Sequence, residues 1–188
     1  MVKTNSTYKF QKLKTEMDYT YLPEPLKHTS VSLAKIFNNK LRLEASAFSI
    51  DANIAKEKVS NYKYGAVNLW SKDGFIKKCF YGGRAKRNYV SRNTKDVIGF
   101  IGSSEMLSVL PKPIKFLSSN NMDLRPFKVT EGTILISRSG TIGNVTLVSK
   151  TLSKLLISEH AIRIITKEYE GYVYAYLKTD IGKTIVQS

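Results

Sequence analysis

Residues 131–148 read EGTILISRSGTIGNVTLV, and this stretch decides how the chain is expected to fold. Two runs rich in β-branched and aliphatic residues, TILIS at 133–137 and NVTLV at 144–148, have the length and composition of buried strands. The segment RSGTIG between them is longer than the two-residue turn that a simple hairpin needs. We interpret it as a loop that presents hydrogen-bonding groups to a ligand, with a tight structural turn as the alternative.

Short apolar runs continue on both sides of this stretch, separated by Gly, Asn, Ser and Pro. Apolar residues from Leu41 to Val59 recur every three or four positions, which predicts a helix that runs to about Ser60. A four-residue spacing near the end of the sequence predicts a second amphipathic helix, through Val173, Leu177, Ile181 and Ile185. We therefore expect an α+β fold, with a β-rich region flanked by amphipathic helices. The predicted strands are AVNLW at 66–70, CFYGG at 79–83, VIGFIG at 97–102, TILIS at 133–137, NVTLVS at 144–149 and AIRIIT at 161–166.

Length and composition indicate one globular domain, at 41–188, that follows a basic, polar N-terminal arm at 1–40. The chain has 188 residues and a formal net charge of +15, which predicts a polyanionic partner. Nucleic acid is favoured over an acidic membrane, because no Lys-rich amphipathic helix with a broad apolar stripe is evident. The sequence also lacks a long apolar run and a secretion signal, so we expect a cytoplasmic protein without membrane association.

Residues 72–95 combine cations with aromatic residues, in the order KDGFIKKCFYGGRAKRNYVSRNTK. We predict a basic hairpin that turns at Gly82 and Gly83 and directs its cations towards DNA. Arginine is the better candidate for reading bases, because its planar guanidinium can donate two parallel hydrogen bonds to a guanine edge. The aromatic residues are expected to lie mainly in the core, and a solvated hairpin without a partner is the alternative.

The serine- and glycine-containing loop does not match the known nucleotide-hydrolysis or hydrolase motifs. It lacks the G-x-x-x-x-G-K-S/T spacing of a phosphate-binding loop and the G-x-S-x-G elbow of a serine hydrolase. The two histidines and the dispersed aspartates also offer no clear acid–base or metal-binding arrangement. We expect no catalytic residue, no metal and no cofactor.

A family resemblance is carried by GTILISRSGTIGNVTLVSK, then LLISEHAIRIIT and GYVYAYLKTDIGKTIV, together with RLEASAF at 42–48 and CFYGGRAKRNYV at 79–90. These segments, over roughly residues 30–188, resemble the target-recognition domain of type I restriction-modification specificity subunits. The resemblance implies a non-catalytic protein that binds double-stranded DNA sequence-specifically and directs a methyltransferase subunit and a restriction subunit to the target.

Length is where the chain departs from that family, whose members usually carry two recognition domains joined by long spacer helices. This sequence has one such domain and ends before a spacer helix could develop. The resemblance leaves open a half-length subunit that pairs with a second copy of itself, an isolated domain, or part of a longer gene.

Sequence and resemblance together give one set of candidate DNA-binding residues, in which His160 is included through the resemblance alone. The main alternative is a non-sequence-specific RNA- or DNA-binding domain, for which charge and aromatic residues would suffice. The candidate DNA-binding residues are Lys77, Arg84, Lys86, Arg87, Tyr89, Arg92, Ser137, Arg138, Ser139, Thr141, Asn144 and His160.

Overall fold

The computed structural model describes residues 29–121, 123–138 and 142–188. Predictions that concern residues 1–28, including most of the N-terminal arm, lie outside this part of the chain, as do those for Ser139 and Thr141. The described residues form helices and two β-sheets, so the fold is α+β as predicted. The helices are α1 (Leu33–Asn38), α2 (Ile50–Ser60), α3 (Glu170–Lys178) and α4 (Asp180–Gln187). The strands are β1 (Ile76–Tyr81), β2 (Val97–Ile101), β3 (Lys115–Ser118), β4 (Ile134–Ser137), β5 (Val145–Leu147), β6 (Leu156–Ile157) and β7 (Ala161–Thr166).

The larger sheet has the strand order β1-β7-β4-β5, and every neighbouring pair in it is antiparallel. The smaller sheet has the order β3-β2-β6, with β2 antiparallel to β3 and parallel to β6. Strand β6 ends at Ile157 and β7 starts at Ala161, so the short segment 158–160 passes from one sheet to the other.

Strand β4 is buried on both faces, which explains why its sequence is almost continuously apolar. Ile134 and Ile136 pack with Val173 and Leu177 of α3, on one face of the larger sheet. Leu135 packs on the other face, in a cluster that also contains residues of the smaller sheet. The molecule is thus layered in the order helix, larger sheet, smaller sheet, and the stretch at 131–148 lies in its middle.

The first predicted helix begins later than its apolar spacing indicates. Lys40 and Leu41 have positive φ values of 54° and 59°, which no α-helix accommodates. Helix α2 starts at Ile50 instead, where the Ser49 side chain accepts a hydrogen bond from the Ala52 amide. Its buried residues, Ala52 and Ala55, belong to the predicted face.

The predicted strand at 66–70 is wrong, because Asn68 turns the chain. The Asn68 side chain accepts a hydrogen bond from the Trp70 amide at 2.9 Å, and its carbonyl accepts one from the Ser71 amide at 3.0 Å. The strand predicted at 79–83 begins at Ile76 and ends at Tyr81. The predictions at 97–102, 133–137, 144–149 and 161–166 correspond to β2, β4, β5 and β7, whereas the short strands β3 and β6 were not predicted.

The predicted basic hairpin is also wrong, because β1 pairs with β7, which is distant in the sequence, and not with the next strand along the chain. Gly82 is buried, and a glycine is needed there because the chain passes close to its neighbours and not because of the predicted turn. A Cβ at this position would lie 2.6 Å from an Arg163 guanidinium nitrogen and 3.0 Å from the Pro126 carbonyl oxygen. Glycine therefore permits the close passage of the chain after β1 over the region between the two sheets.

The C-terminal amphipathic segment forms two helices and not one. Thr179 separates α3 from α4 with extended backbone angles, and its hydroxyl accepts a hydrogen bond from the Gly182 amide at 3.1 Å. Helix α4 packs against both α2 and α3. The four-residue apolar spacing predicted a single helix, because such a spacing carries no information about the helix cap that Thr179 forms.

Candidate nucleic-acid interface

The ends of β1 and β4 and the start of β7 lie side by side, and together they form one edge of the larger sheet. Ser137, at the end of β4, pairs with Ala161 at the start of β7, and Tyr81, at the end of β1, pairs with Ile162. Arg138 and His160 therefore flank the same edge, where the Arg138 amide donates a hydrogen bond to the His160 carbonyl at 3.0 Å. Strand pairing thus brings together candidates that are far apart in the sequence.

Arg138 also contacts the segment that follows β1. Its guanidinium carbon lies 4.8 Å from the centroid of the Tyr81 ring, a geometry for cation–π attraction. Both side chains are exposed, with Tyr81 at 54%. The loop after β4 and the basic segment that begins at Gly82 consequently lie on the same side of the molecule.

Ser137 and Asn144 close the base of the loop after β4 and do not form its tip. The Ser137 side chain is 1% exposed, and its hydroxyl accepts a hydrogen bond from the Asn144 amide at 3.1 Å. The Ser137 amide in turn donates to the Asn144 carbonyl at 2.9 Å. Since Ser137 is buried and Asn144 is half-buried, the structure gives these two candidates a role in shaping the loop. Ser139 and Thr141 lie outside the described residues.

Arg87 does not present a free charge, because it forms an ion pair with Glu159. The side chains are only 26% and 14% exposed, and Glu159 lies in the segment that crosses between the sheets. Burial alone would raise the pKa of Glu159. A backbone hydrogen bond and the charge of Arg87 outweigh burial and hold that pKa below its ordinary value. Arg87 is therefore held by an acid, contrary to the expectation of a guanidinium directed at DNA.

Aromatic side chains lie beside Arg87, and three aromatic residues of the 72–95 segment are exposed. The Arg87 guanidinium carbon lies 5.2 Å from the Phe100 ring centroid, and its Nη1 donates a hydrogen bond to the Tyr89 hydroxyl at 3.4 Å. Phe100 is buried, but Phe80, Tyr81 and Tyr89 are exposed. The expectation that the aromatic residues of 72–95 lie mainly in the core is therefore wrong for these three.

A cleft of about 260 Å³ opens between the smaller sheet and the segment that crosses to the larger sheet. Besides Arg87, its charged and titratable lining residues are Lys115, Glu105 and His160. The Lys115 ammonium lies 5.6 Å from the Tyr89 ring centroid. The acid, Glu105, accepts hydrogen bonds from the Gly102 amide and the Ser104 hydroxyl, at 2.9 and 3.3 Å. Together with Glu159, the charged residues that line the cleft are thus nearly balanced in charge. Residues that line the cleft include Arg87, Tyr89, Phe100, Glu105, Lys115 and His160.

A buried cation that the sequence interpretation missed lies in β7 and interacts electrostatically with Glu159. Arg163 of β7 is 4% exposed and donates hydrogen bonds to the carbonyls of Ile157, at 3.2 Å, and Lys128, at 3.3 Å. Burial lowers the pKa of Arg163, and the negative charge of Glu159 opposes that shift. Arg163 therefore ties the two sheets together and adds to the positive potential around Glu159. The only sequence signal for it is an arginine inside the apolar run AIRIIT.

The remaining candidates are exposed, but one of them lies away from the cleft. Arg84, Lys86 and Arg92 belong to the segment after β1 and have exposed side chains. Lys77 lies at the opposite end of β1 from Tyr81, roughly 13 Å along the strand at about 3.3 Å per residue. It lines a separate groove with Trp70 and Phe80.

No model of a known protein family matches this chain. No curated protein sequence matches it either. Within residues 29–121, 123–138 and 142–188, no three His, Cys, Asp or Glu side chains are grouped so that they could hold a metal ion. No helix in this same part of the chain is both long enough and apolar enough to cross a membrane.

Proposed function

We propose that this chain recognises a specific sequence in double-stranded DNA, as the specificity subunit or half-subunit of a type I restriction-modification system. In this proposal it is a non-catalytic, cytoplasmic protein that directs a separate methyltransferase subunit, and through the complex a restriction subunit, to the target. The resemblance of the segments around 131–148, 156–166 and 171–186 to such subunits supports this assignment.

The convergence of Arg138, His160 and the Arg87–Glu159 pair at one edge is the observation on which the proposal rests. A base-reading surface needs both hydrogen-bond donors and hydrogen-bond acceptors, because each base pair presents its own pattern of such groups in the major groove. Guanidinium groups donate to guanine, whereas a carboxylate accepts from the amino group of cytosine. At this edge Arg138 supplies the exposed guanidinium, beside the exposed tyrosines Tyr81 and Tyr89, and the Arg87–Glu159 pair supports the segment that carries His160.

The surrounding cations support binding to the phosphate backbone. The chain carries a formal net charge of +15. Arg84, Lys86 and Arg92 are exposed, and in the sequence they lie within a few residues of the cleft residues Arg87 and Tyr89. Lysine and arginine contacts to phosphates supply affinity and position a protein on the duplex without reading its sequence. In this proposal the exposed cations hold the duplex, and the edge with Arg138 and His160 reads it.

The assembly depends on the resemblance alone. One recognition domain reads half of a bipartite target, so a two-fold dimer of this chain would read an inverted repeat. A chain with a second, different recognition domain would read two unlike half-sites.

Selection of bound duplexes from a random pool, with and without the candidate methyltransferase subunit, tests the proposal. We expect a defined sequence to be enriched and to bind at least a thousandfold more tightly than random duplex at about 150 mM salt. Equal affinity for the selected duplex, random duplex and single-stranded RNA would favour the non-sequence-specific alternative. Methylation or cleavage by the purified chain alone would contradict a non-catalytic role.

A further inference from the structure

The loop at 108–114, with the sequence SVLPKPI, exposes large apolar side chains beside the candidate interface. Val109 is 96% exposed, Leu110 is 71% exposed and Ile114 is 77% exposed. Soluble proteins do expose single apolar residues, but here the neighbours Val109 and Leu110 form an apolar tip, and Ile114 is exposed four positions further on. Such a tip suggests contact with a partner.

Both ends of this loop are anchored to the core. On its N-terminal side, Met106 is 1% exposed, and its carbonyl accepts a hydrogen bond from the Thr146 hydroxyl at 3.1 Å. On its C-terminal side, Pro113 packs on Gly99 of β2 so closely that a Cβ on Gly99 would lie 2.4 Å from the Pro113 ring. Pro111 lies between these anchors and further restricts the backbone. The tip is therefore held in place and does not need to be ordered when it binds.

The position and charge of the loop indicate which partner it fits. Ile114 and Lys115 line the cleft that also contains Arg87, Tyr89 and His160, so the loop continues the candidate interface. Residues 108–115 include Lys112 and Lys115 and no acidic residue. An apolar tip bordered by cations matches a DNA duplex, which has phosphates outside and the apolar faces of stacked bases inside.

We propose that the loop at 108–114 inserts Val109 or Leu110 into a base step of the bound duplex and opens the stack there. Proteins that place apolar side chains between base pairs unstack the step and bend the duplex, which brings more DNA against the protein surface. Lys112 and Lys115 contact the flanking phosphates in this arrangement. The inference deepens the proposed DNA recognition and rests on it.

The double variant Val109→Ser/Leu110→Ser tests the inference, with Leu33→Ser/Phe37→Ser as the matched control. The control removes two apolar side chains of similar exposure, 72% and 65%, from α1, which has no buried residue. Both variants should fold, because all four side chains are exposed, and thermal unfolding checks this. The probe is the duplex selected from the random pool, with 2-aminopurine replacing one adenine at a time and a fluorophore at each end.

We expect the wild-type chain to raise 2-aminopurine fluorescence several-fold at one step and to shorten the end-to-end distance. The loop variant should abolish both signals and bind about tenfold more weakly, whereas the control should behave as wild type. A duplex with a mismatch at that step should bind the wild type more tightly and the loop variant no more tightly, because its stack is already weakened.

The outcomes separate this inference from the proposed function. Failure of the wild type to bind or select any duplex would overturn both. Selective binding without unstacking, or unchanged unstacking in the loop variant, would overturn the insertion alone and leave the recognition proposal standing. Loop-dependent binding to vesicles of phosphatidylcholine and phosphatidylserine, with DNA binding unaffected, would also overturn it.

Discussion

At the scale of single residues, Glu159 organises the candidate interface. It pairs with Arg87, lies 3.9 Å from the His160 Nε2 atom and interacts with the charge of the buried Arg163. The ion pair holds the Arg87 guanidinium in place, and the same carboxylate offsets part of the positive charge of Arg163. The same carboxylate competes with DNA for Arg87, so Arg138 is the guanidinium of this edge that is free of an acidic partner in the described structure.

Substitution of Arg138 tests base reading at this edge. Arg138→Ala should weaken binding to the selected duplex by about 1 to 3 kcal/mol and change binding to random duplex little, because a bidentate base contact depends on sequence. Fluorescence anisotropy with both duplexes measures the difference. Arg42→Ala is the control, since it removes the same charge from an exposed pair with Glu44. An equal loss on both duplexes would assign Arg138 to phosphate.

Removal of Arg87 should destabilise the protein in a pH-dependent way. Arg87→Gln leaves the Glu159 carboxylate half-buried without its cation, and we expect a loss of about 1 to 3 kcal/mol in the free energy of unfolding at pH 7. The folded pKa of Glu159 lies below its unfolded value, so the pair stabilises the protein above the unfolded pKa. That stabilisation is lost as pH falls through the folded pKa.

Urea unfolding between pH 7 and pH 3 measures this effect. The free-energy difference between wild type and Arg87→Gln should narrow as the pH falls below the ordinary pKa of a glutamate and through the lowered pKa of Glu159 in the folded protein. Arg42→Gln breaks an exposed ion pair and should change stability by less than about 1 kcal/mol at any pH. A difference for Arg87→Gln that does not depend on pH would show that its packing on Phe100 matters more than its charge.

At the scale of elements, the junction of α3 and α4 shows why a regular apolar spacing does not define one helix. Thr179 caps α4, and Gly182 lets the first turn of α4 pack against the end of α3. A Cβ at Gly182 would lie 2.2 Å from the Tyr176 carbonyl oxygen, which is backbone and cannot rotate away. The angle between the two helices therefore depends on a glycine at this position.

Two glycine-to-alanine substitutions should have opposite effects on stability. Gly182→Ala should lower the free energy of unfolding by more than about 1 kcal/mol, because α4 must shift away from α3. Gly171→Ala should raise it by about 0.5 to 1 kcal/mol, because this helical position has nothing within 4 Å of the added Cβ. Thermal and urea unfolding of both variants check the signs. A stable Gly182→Ala variant would contradict the close packing.

At the scale of the whole molecule, the net charge of +15 should appear as a steep salt dependence of DNA binding. Each neutralised phosphate contributes about −0.9 to the slope of log K against log salt, so six to ten contacts would give roughly −5 to −9. Lys86→Ala should reduce the magnitude of the slope by about one unit. Lys77→Ala should leave the slope unchanged, since Lys77 lies at the far end of β1. The reverse result would place the duplex along β1 and not at the cleft.

Features that depend on neighbouring residues along the chain follow from the amino-acid sequence alone. Strands β2, β4, β5 and β7 were predicted because their β-branched and apolar composition is local and lies in short runs. The excess positive charge can be counted directly from the sequence, and the position of residues 138–143 between two predicted strands identifies the candidate loop. It failed at residues 66–70, where the hydrogen bonds of Asn68 turn an apolar run away from strand geometry.

Which of these segments contact one another depends on how the whole chain packs. The order β1-β7-β4-β5 brings Tyr81 beneath Arg138, and the passage between the sheets brings Glu159 to Arg87, 72 residues away. Long-range strand pairing follows from how a whole set of buried faces packs together, and no local pattern encodes it. For the same reason the sequence predicted Arg87 as a free DNA contact, whereas its charge is neutralised by an acid that the fold places beside it.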